Sequence, residues 1–203
     1  MQEFDDLVSV AKTLLGPQGC SWDHKQTFFS LQPYLLEEMH ELLDAVDRKD
    51  DCEIVEEIGD VFYVLLFYAT LGEKEGRFSL QEILTQVRDK MIRRHPHVFS
   101  SLSVADDEEI VKNWESIKKE EKKERKSALE GIPSQLPLLA KAQKLQKIFC
   151  KKGFSVEPHL QDDLAAKLWY LIHQAAEQGE ELESLFRRRL LFLQEAFAAQ
   201  ENL

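Results

Sequence analysis

Apolar residues recur at intervals of three and four along most of the chain, and this spacing constrains the fold more than any other feature. It places apolar side chains on one face of an α-helix, whereas a strand requires alternation with a period of two. The chain has only 8 glycines and 6 prolines in 203 residues, so helix breaks are few and connections are short. The sequence therefore predicts an all-α protein.

Local start and stop signals divide this pattern into helices. Ser79 with Glu82 and Asp50 with Glu53 have the spacing of capping boxes, which begin helices. Gly16-Pro17 and His95-Pro96 are typical of helix ends. The predicted helices cover about 4–15, 33–48, 50–73, 79–95, a stretch from near 106, then 138–151, 160–178 and 181–200.

The charge balance excludes several classes of partner. The chain has 37 acidic against 26 basic residues, a net charge of -11, which argues against stable binding to nucleic acid or to an anionic membrane.

The longest apolar run of the chain, Val61 to Ala69, is shorter than the ~20 residues that cross a bilayer. The N-terminus is acidic where a secretory signal is basic, and three scattered cysteines without a CxxC pattern fit a reducing compartment. We therefore expect a cytoplasmic protein.

Two acidic pairs stand beside the apolar stripes of the second and third predicted helices. Glu38 and Glu41 are three residues apart, as are Glu57 and Asp60, so each pair projects from one patch of its helix. Asp60 is the only charge between positions 58 and 71, and a carboxylate among apolar residues is costly unless it is paired or binds a cation. If the helices pack antiparallel, both pairs converge on one site.

Carboxylate oxygens without a cysteine or histidine pattern suit a hard cation such as Mg²⁺, or Mn²⁺ in its place, rather than zinc. Glu38, Glu41, Glu57 and Asp60 are therefore the predicted metal ligands. The alternative is that Glu38 and Glu41 are ordinary surface acids. Against it, Asp60 follows Gly59, whose position inside a helix costs ~1 kcal/mol relative to alanine.

An alternative metal site starts from Glu37 and His40, which form a Glu-x-x-His motif of the kind found in di-iron helical bundles. A di-iron site needs two such motifs. The other histidines lack a glutamate three residues earlier, so a polar helix residue is the better interpretation of His40.

Cations cluster at the end of the fourth predicted helix and on the fifth: Lys90, Arg93, Arg94, His95, Lys118 and Lys119. In an acidic chain such a cluster suggests phosphate recognition, because arginine binds phosphate oxygens bidentately. The alternative is the ordinary preference of cations for helix C-termini. The charged run 118–126 is typical of a solvated helix face, in which Glu121 and Arg125 could pair at i, i+4.

The ordered series of motifs resembles the MazG nucleoside triphosphate pyrophosphohydrolases over roughly residues 3–154. The shared segments are Cys20-Ser-Trp-Asp-His-Lys-Gln-Thr27, Tyr34-Leu-Leu-Glu-Glu-Met-His-Glu41, Glu56-Glu-Ile-Gly-Asp60, Glu75-Gly-Arg-Phe78, Arg93-Arg-His-Pro-His-Val-Phe99 and Trp114-Glu-Ser-Ile-Lys118. The ExxE and ExxD metal motifs alone are frequent in proteins. The whole series is specific.

The resemblance implies a MazG-like helical bundle that hydrolyses nucleoside triphosphates to a monophosphate and pyrophosphate, a reaction that would serve nucleotide-pool house-cleaning. Its four acidic residues would hold Mg²⁺. It suggests that Lys90, Arg94 and Lys118 face the phosphates and that Trp22, Asp23 and Trp114 face the nucleoside. It also implies a homodimer or a higher homo-oligomer. An aberrant or signalling nucleotide remains open as the substrate.

The C-terminal part departs from the family's acidic pattern. A junction near Gly131, Pro133 and Pro137 predicts a catalytic domain over residues 1–130 and a degenerate, structural second helical copy over 131–203. The competing hypothesis is a non-catalytic helical bundle that binds a partner and keeps a vestigial metal site. Magnesium-dependent release of pyrophosphate distinguishes the two.

Overall fold

The computed structural model describes residues 2–156 and 163–201, and within these residues every regular element is helical. The chain divides into two compact units, Met1–Glu121 and Lys122–Leu203. An all-α fold is therefore confirmed for the described part of the chain. No helix in that part is both long and apolar enough to cross a bilayer.

The first unit is built from six α-helices and a short 3-10 helix, Asp23–Lys25. The α-helices are α1 (Gln2–Leu14), α2 (Gln32–Arg48), α3 (Asp51–Lys74), α4 (Leu80–Arg94), α5 (Pro96–Phe99) and α6 (Asp107–Glu120). The sequence signals predicted all of these α-helices except α5, a single turn that starts at the proline expected only to end α4.

The caps of α3 and α4 confirm that their starts are encoded locally. The Asp50 carboxylate accepts hydrogen bonds from the backbone N–H groups of Cys52, at 3.1 Å, and Glu53, at 3.2 Å. Ser79 and Glu82 form the full capping box, in which each side chain accepts from the other residue's backbone N–H. These bonds satisfy N–H groups that the first turn of a helix leaves without partners.

Helices α2 and α3 form the most extensive helix–helix contact of the unit. They are joined by Lys49, whose left-handed backbone (φ 59°) turns the chain, and by the capping residue Asp50. So short a connection makes the helices antiparallel neighbours. α1 and α4 pack against α3, and α6 packs against α4.

The buried core lies at the C-terminal end of α3. Leu15, Leu31, Phe67 and Leu71 form one cluster, and Phe28, Tyr63 and Tyr68 pack around it. Two long-range hydrogen bonds attach the segment before α2 to this end of α3. Tyr68 donates to the Phe28 carbonyl at 3.1 Å, and Lys74 donates to the Leu15 carbonyl at 3.1 Å.

The apolar stripes of α2 and α3 are less buried than their periodicity predicts. The periodicity predicts a core stripe on α2 made of Leu35, Met39, Leu42, Leu43 and Val46. Met39, Leu43 and Val46 are instead exposed, and Ala45 is the buried residue of that helix. The exposed residues on each helix follow the spacing i, i+3, i+7, i+10. They are Leu36, Met39, Leu43 and Val46 on α2, and Val55, Ile58, Phe62 and Leu65 on α3. Within this chain each helix of the hairpin therefore presents an exposed apolar stripe.

The second unit contains α7 (Leu138–Lys152), α8 (Leu164–Glu177) and α9 (Leu182–Glu201), which pack against one another. These helices match the predicted ones, although residues 160–162 of the predicted second helix lie outside the described residues. Gln143 ties α7 to the α8–α9 connection, since it donates to the Glu180 carbonyl at 2.9 Å and accepts from the Leu182 N–H at 3.0 Å.

Two glycines of α3 provide a matched test of this packing. A methyl group at Gly72 would overlap the Phe78 ring, which is wedged against Phe28, whereas one at Gly59 would meet nothing within 4 Å. We expect Gly72→Ala to lower the free energy of unfolding by ~1–3 kcal/mol. Gly59→Ala should raise it by ~0.5–1 kcal/mol, because alanine favours a helix interior. Urea denaturation measures both, and a stable Gly72→Ala variant would contradict the packing described.

Candidate metal centre

The α2–α3 hairpin brings three acidic side chains to one point. One carboxylate oxygen from each of Glu38, Glu41 and Glu57 lies within 4.8 Å of the other two. Glu38 and Glu41 come from adjacent turns of α2, and Glu57 faces them because α3 runs back along α2. The expected convergence of acids from the two helices is therefore found for these three.

Close packing of the carboxylates disfavours their charged forms. The pKa of Glu38 is raised, first by burial and then by the negative charges of Asp60, Glu41 and Glu37. The pKa of Glu57 is raised by burial, followed by the charges of Glu41 and Glu38. Both pKa shifts therefore have the same direction and the same causes, burial first and the neighbouring negative charges second.

The arrangement fits a divalent cation. Glu57 Oε2 is shielded from solvent and has no hydrogen-bond partner within the described residues, a costly state for a carboxylate oxygen. Two ligands on opposite sides of Mg²⁺ lie about 4.2 Å apart, so a cluster spread over 4.8 Å needs little adjustment. With oxygen ligands only, the site can hold a hard cation such as Mg²⁺ or Mn²⁺.

Asp60 stands apart from these three. It follows Glu57 by one turn, and its charge raises the pKa of Glu38 and of Glu57, so it lies beside the cluster. Its oxygens are not part of the 4.8 Å group, and the residue is exposed. The expectation that Asp60 is costly because apolar residues surround it is wrong, since Asp60 is exposed to solvent in this chain.

Glu37 and His40 do not form a metal site in the described residues. His40 donates through Nδ1 to the Leu36 carbonyl at 2.5 Å, a bond within its own helix. No histidine belongs to a cluster of potential ligands in the parts of the chain that the structure describes. The interpretation of His40 as a polar helix residue agrees with this contact.

A second charged cluster lies where α4 crosses α6. Arg93 donates to Glu121 Oε1 from Nε at 2.8 Å, with Nη2 at 2.6 Å, while Arg94 binds Oε2 through Nη2 at 2.6 Å and Nε at 3.2 Å. These hydrogen bonds, led by those from Arg94, lower the pKa of Glu121 to about 2. The suggested Glu121–Arg125 pair is wrong. Arg125 instead donates to the Glu130 carbonyl at 2.6 Å.

The other residues predicted to face phosphate surround this cluster. The Arg94 guanidinium carbon lies 5.2 Å from the centre of the Trp114 ring. Lys118 is one turn beyond Trp114 on α6, with its Nζ 3.9 Å from Glu115. Lys90 is half-buried on α4, one turn before Arg94. The packing of α4 on α6 therefore places Arg94 against Trp114, and Lys90 and Lys118 each lie one turn from these residues on their own helices.

Trp22 and Asp23 belong to the loop before α2. Trp22 is 50% exposed and meets Tyr34 edge to face, with ring centres 5.7 Å apart, so much of its ring is open to a ligand. Asp23 is buried in the 3-10 helix, and its charge, after burial, raises the pKa of Tyr63. Asp23 thus lies near the core, and its role toward a nucleoside stays a prediction.

Glu121 is the site residue that the sequence analysis did not identify as such. Its position lies inside a run of charges, where a solvated glutamate is the ordinary expectation. The spacing of Trp114, Lys118 and Glu121, at i, i+4 and i+7, was the available signal, since it puts all three on one side of α6.

Comparisons with known proteins agree with this geometry. A family model described as the MazG nucleotide pyrophosphohydrolase domain matches residues 26–99. The nucleoside triphosphate pyrophosphohydrolase of Escherichia coli (strain K12) is 43% identical over 157 residues, which are 76% of this chain and 60% of that protein. The uncharacterized protein YabN of Bacillus subtilis (strain 168) is 46% identical over 146 residues, or 71% of this chain and 30% of that protein.

Among solved structures, a mazG-related protein from Thermotoga maritima superposes with a TM-score of 0.50 at 29% identity. The match covers 57% of this chain and 98% of that one. The chain spans less than two thirds of the length of the curated relatives named above.

Removing one carboxylate tests the metal centre without an activity assay. We expect Glu57→Gln to be more stable than wild type in EDTA, because it relieves repulsion from Glu38 and Glu41. Added Mg²⁺ should raise the melting temperature of wild type, which it binds only when folded, and should no longer raise that of Glu57→Gln. Glu56→Gln, an exposed neighbour outside the cluster, is the control and should respond to Mg²⁺ like wild type. An equal response in all three proteins would contradict the site.

Proposed function

Because the chain belongs to the MazG nucleotide pyrophosphohydrolase family, we propose that it hydrolyses nucleoside triphosphates to nucleoside monophosphate and pyrophosphate. The observation that carries this proposal is the trio of mutually facing carboxylates, with its shielded and unpartnered Glu57 oxygen. Such a site is stabilised most by a cation that binds together with a polyphosphate. The proposed role is removal of unwanted nucleotides from the pool.

In this proposal Glu38, Glu41 and Glu57 hold Mg²⁺, with Mn²⁺ as a substitute. When bound, the cation supplies charge neutralisation for the triphosphate and lowers the pKa of water. The glutamates hold their position because they project from two packed helices rather than from a loop. The cation is attracted to the three carboxylates and also offsets their mutual repulsion.

Asp60 is proposed to orient the attacking water and to accept its proton at a carboxylate oxygen. Its exposure and its separation from the trio leave both oxygens open to solvent. This assignment refines the prediction that all four acids are ligands.

Lys90, Arg94 and Lys118 are proposed to bind the phosphates, and Trp22, Trp114 and Asp23 to contact the nucleoside. The support is the gathering of cations at the α4–α6 crossing of an otherwise acidic chain. The half-exposed ring of Trp22 supports base stacking. The nucleotide that is preferred, whether canonical, deoxy, oxidised or signalling, is a matter for a substrate panel.

The division into a catalytic domain, 1–130, and a degenerate structural copy, 131–203, is carried forward as part of the proposal. Within the described residues, the carboxylate trio of α2 and α3 is the one group with metal-ligand geometry. When Leu190-Leu-Phe192 of α9 is aligned with Val61-Phe-Tyr63 of α3, Phe186 and Arg189 take the positions of Glu57 and Asp60, and neither can bind Mg²⁺.

We assign the exposed apolar stripes of α2 and α3 to a homodimer interface. The two stripes have the same i, i+3, i+7, i+10 spacing, so a second hairpin can pack on the first about a two-fold axis. An exposed apolar stripe on each of two packed helices is unusual for a monomer. The three free thiols, Cys20, Cys52 and Cys150, support action in the reducing cytoplasm.

The reaction products test the proposed activity. ³¹P NMR should detect nucleoside monophosphate and pyrophosphate, in the presence of Mg²⁺ and not of EDTA. Asp60→Asn should lose at least ~100-fold in turnover, the usual contribution of a general base, while keeping the Mg²⁺-dependent rise in melting temperature. Glu41→Gln should lose both. Nucleoside diphosphate with orthophosphate would contradict the reaction, and loss of metal binding in Asp60→Asn would make Asp60 a ligand.

The assembly is tested by placing a charge on the α3 stripe. Leu65→Asp should shift the protein from dimer to monomer, because an unpaired carboxylate in an apolar interface is costly. Light scattering after size-exclusion chromatography measures the mass. Val111→Asp, at an exposed residue of α6, is the matched control and should leave the mass unchanged. A monomeric wild type, or a dimer in both variants, would disprove the interface.

A further inference from the structure

The crossing of α4 and α6 holds one carboxylate between two guanidinium groups. Each oxygen of Glu121 serves one arginine, Oε1 for Arg93 and Oε2 for Arg94, and each arginine uses its Nε–Nη2 edge. Within the described residues, Nη1 of neither arginine has a hydrogen-bond partner. The cluster of two cations and one anion therefore keeps a net positive charge and two unused donor groups.

The two arginines differ in how far their side chains are buried. The side chains of Arg94 and Glu121 are 13% and 20% exposed, whereas that of Arg93 is 53% exposed. Arg94 is also covered on one face by the Trp114 ring. Its guanidinium is thus held along an edge by Glu121 and on a face by Trp114, so its remaining donors point in one direction.

We propose that Glu121 is a positioning residue, which orients Arg94 so that the free Nη1 end of its guanidinium meets the phosphates of the nucleotide. The inference rests on the proposed function, because it takes a polyphosphate as the ligand of Arg94. Glu121 itself touches no reacting atom. It acts by removing rotamer freedom from a long side chain before the substrate binds.

A competing role for Glu121 would be to occupy Arg94 until phosphate displaces it. Displacement would break the contacts that Glu121 makes to both arginines. Binding at the Nη1 end breaks none of them. The two roles predict opposite effects on substrate affinity when the charge of Glu121 is removed.

The first test separates KM from kcat. Glu121→Gln, which keeps the side-chain size, should raise KM for the triphosphate about tenfold, the scale of one charge-assisted hydrogen bond, with kcat within about twofold. Glu121→Asp keeps the charge and should recover part of the affinity. Glu124→Gln, an exposed glutamate of the same charged run, is the control and should match wild type.

The second test asks whether Glu121 acts through Arg94. In an Arg94→Ala background, Glu121→Gln should change KM by less than about twofold, because the group to be positioned is gone. A full effect in that background would overturn the proposal. A lower KM in Glu121→Gln would also overturn it, since it would identify Glu121 as a competitor of phosphate.

The third test needs no turnover. The ¹H–¹⁵N NMR signal of Arg94 Nε should be protected from solvent exchange in wild type and in Glu124→Gln, and exchange rapidly in Glu121→Gln. Binding of inorganic triphosphate with Mg²⁺, measured by calorimetry, should weaken only in Glu121→Gln. Hydrolysis to other products would refute the proposed reaction and leave these results standing, whereas an unchanged Arg94 signal or unchanged triphosphate affinity would refute the role of Glu121.

Discussion

The packing of α2 against α3 across the turn at Lys49 and Asp50 organises the first unit. The turn reverses the chain with one left-handed residue and one capping carboxylate, so positions at similar distances from it become neighbours. Glu41 and Glu57 meet for this reason. α1 and α4 pack on α3, and α6 packs on α4, so the arrangement of the other helices also depends on the hairpin.

The buried core residues and the acidic cluster lie toward opposite ends of α3. The buried residues of that helix run from Leu66 to Gly72, beside the cluster of Leu15, Leu31 and Leu71. The half that begins at Asp51 carries Glu57, Asp60 and the exposed stripe. Repulsion among carboxylates opposes folding, and it can be tolerated because the core that holds the helix in place does not include them.

The pKa values of the glutamates shift in opposite directions in the two charged clusters. At the hairpin, three acids face one another and their pKa values rise where they are shifted. At the α4–α6 crossing, two arginines enclose one acid, and the pKa of Glu121 falls to about 2. The first cluster is short of positive charge and the second retains an excess of it. In the proposed function the first cluster would hold the cation and the second would meet the phosphates.

The sequence alone predicted the features that depend on neighbours within one helical turn. Helix positions, the Asp50 and Ser79 caps and the spacing of the acidic pairs follow from contacts between residues three or four apart, and the structure agrees with them. The ordered motifs also indicated the family that the comparisons support.

Only the tertiary structure decided which helix faces meet. It left Asp60 exposed and outside the trio, left half of the α2 and α3 stripes open, and paired Glu121 with arginines 27 and 28 residues away rather than with Arg125. Periodicity states which residues share a face, but not how a helix is rotated against its neighbour. That rotation is set by the packing of many side chains at once, and no local pattern contains it.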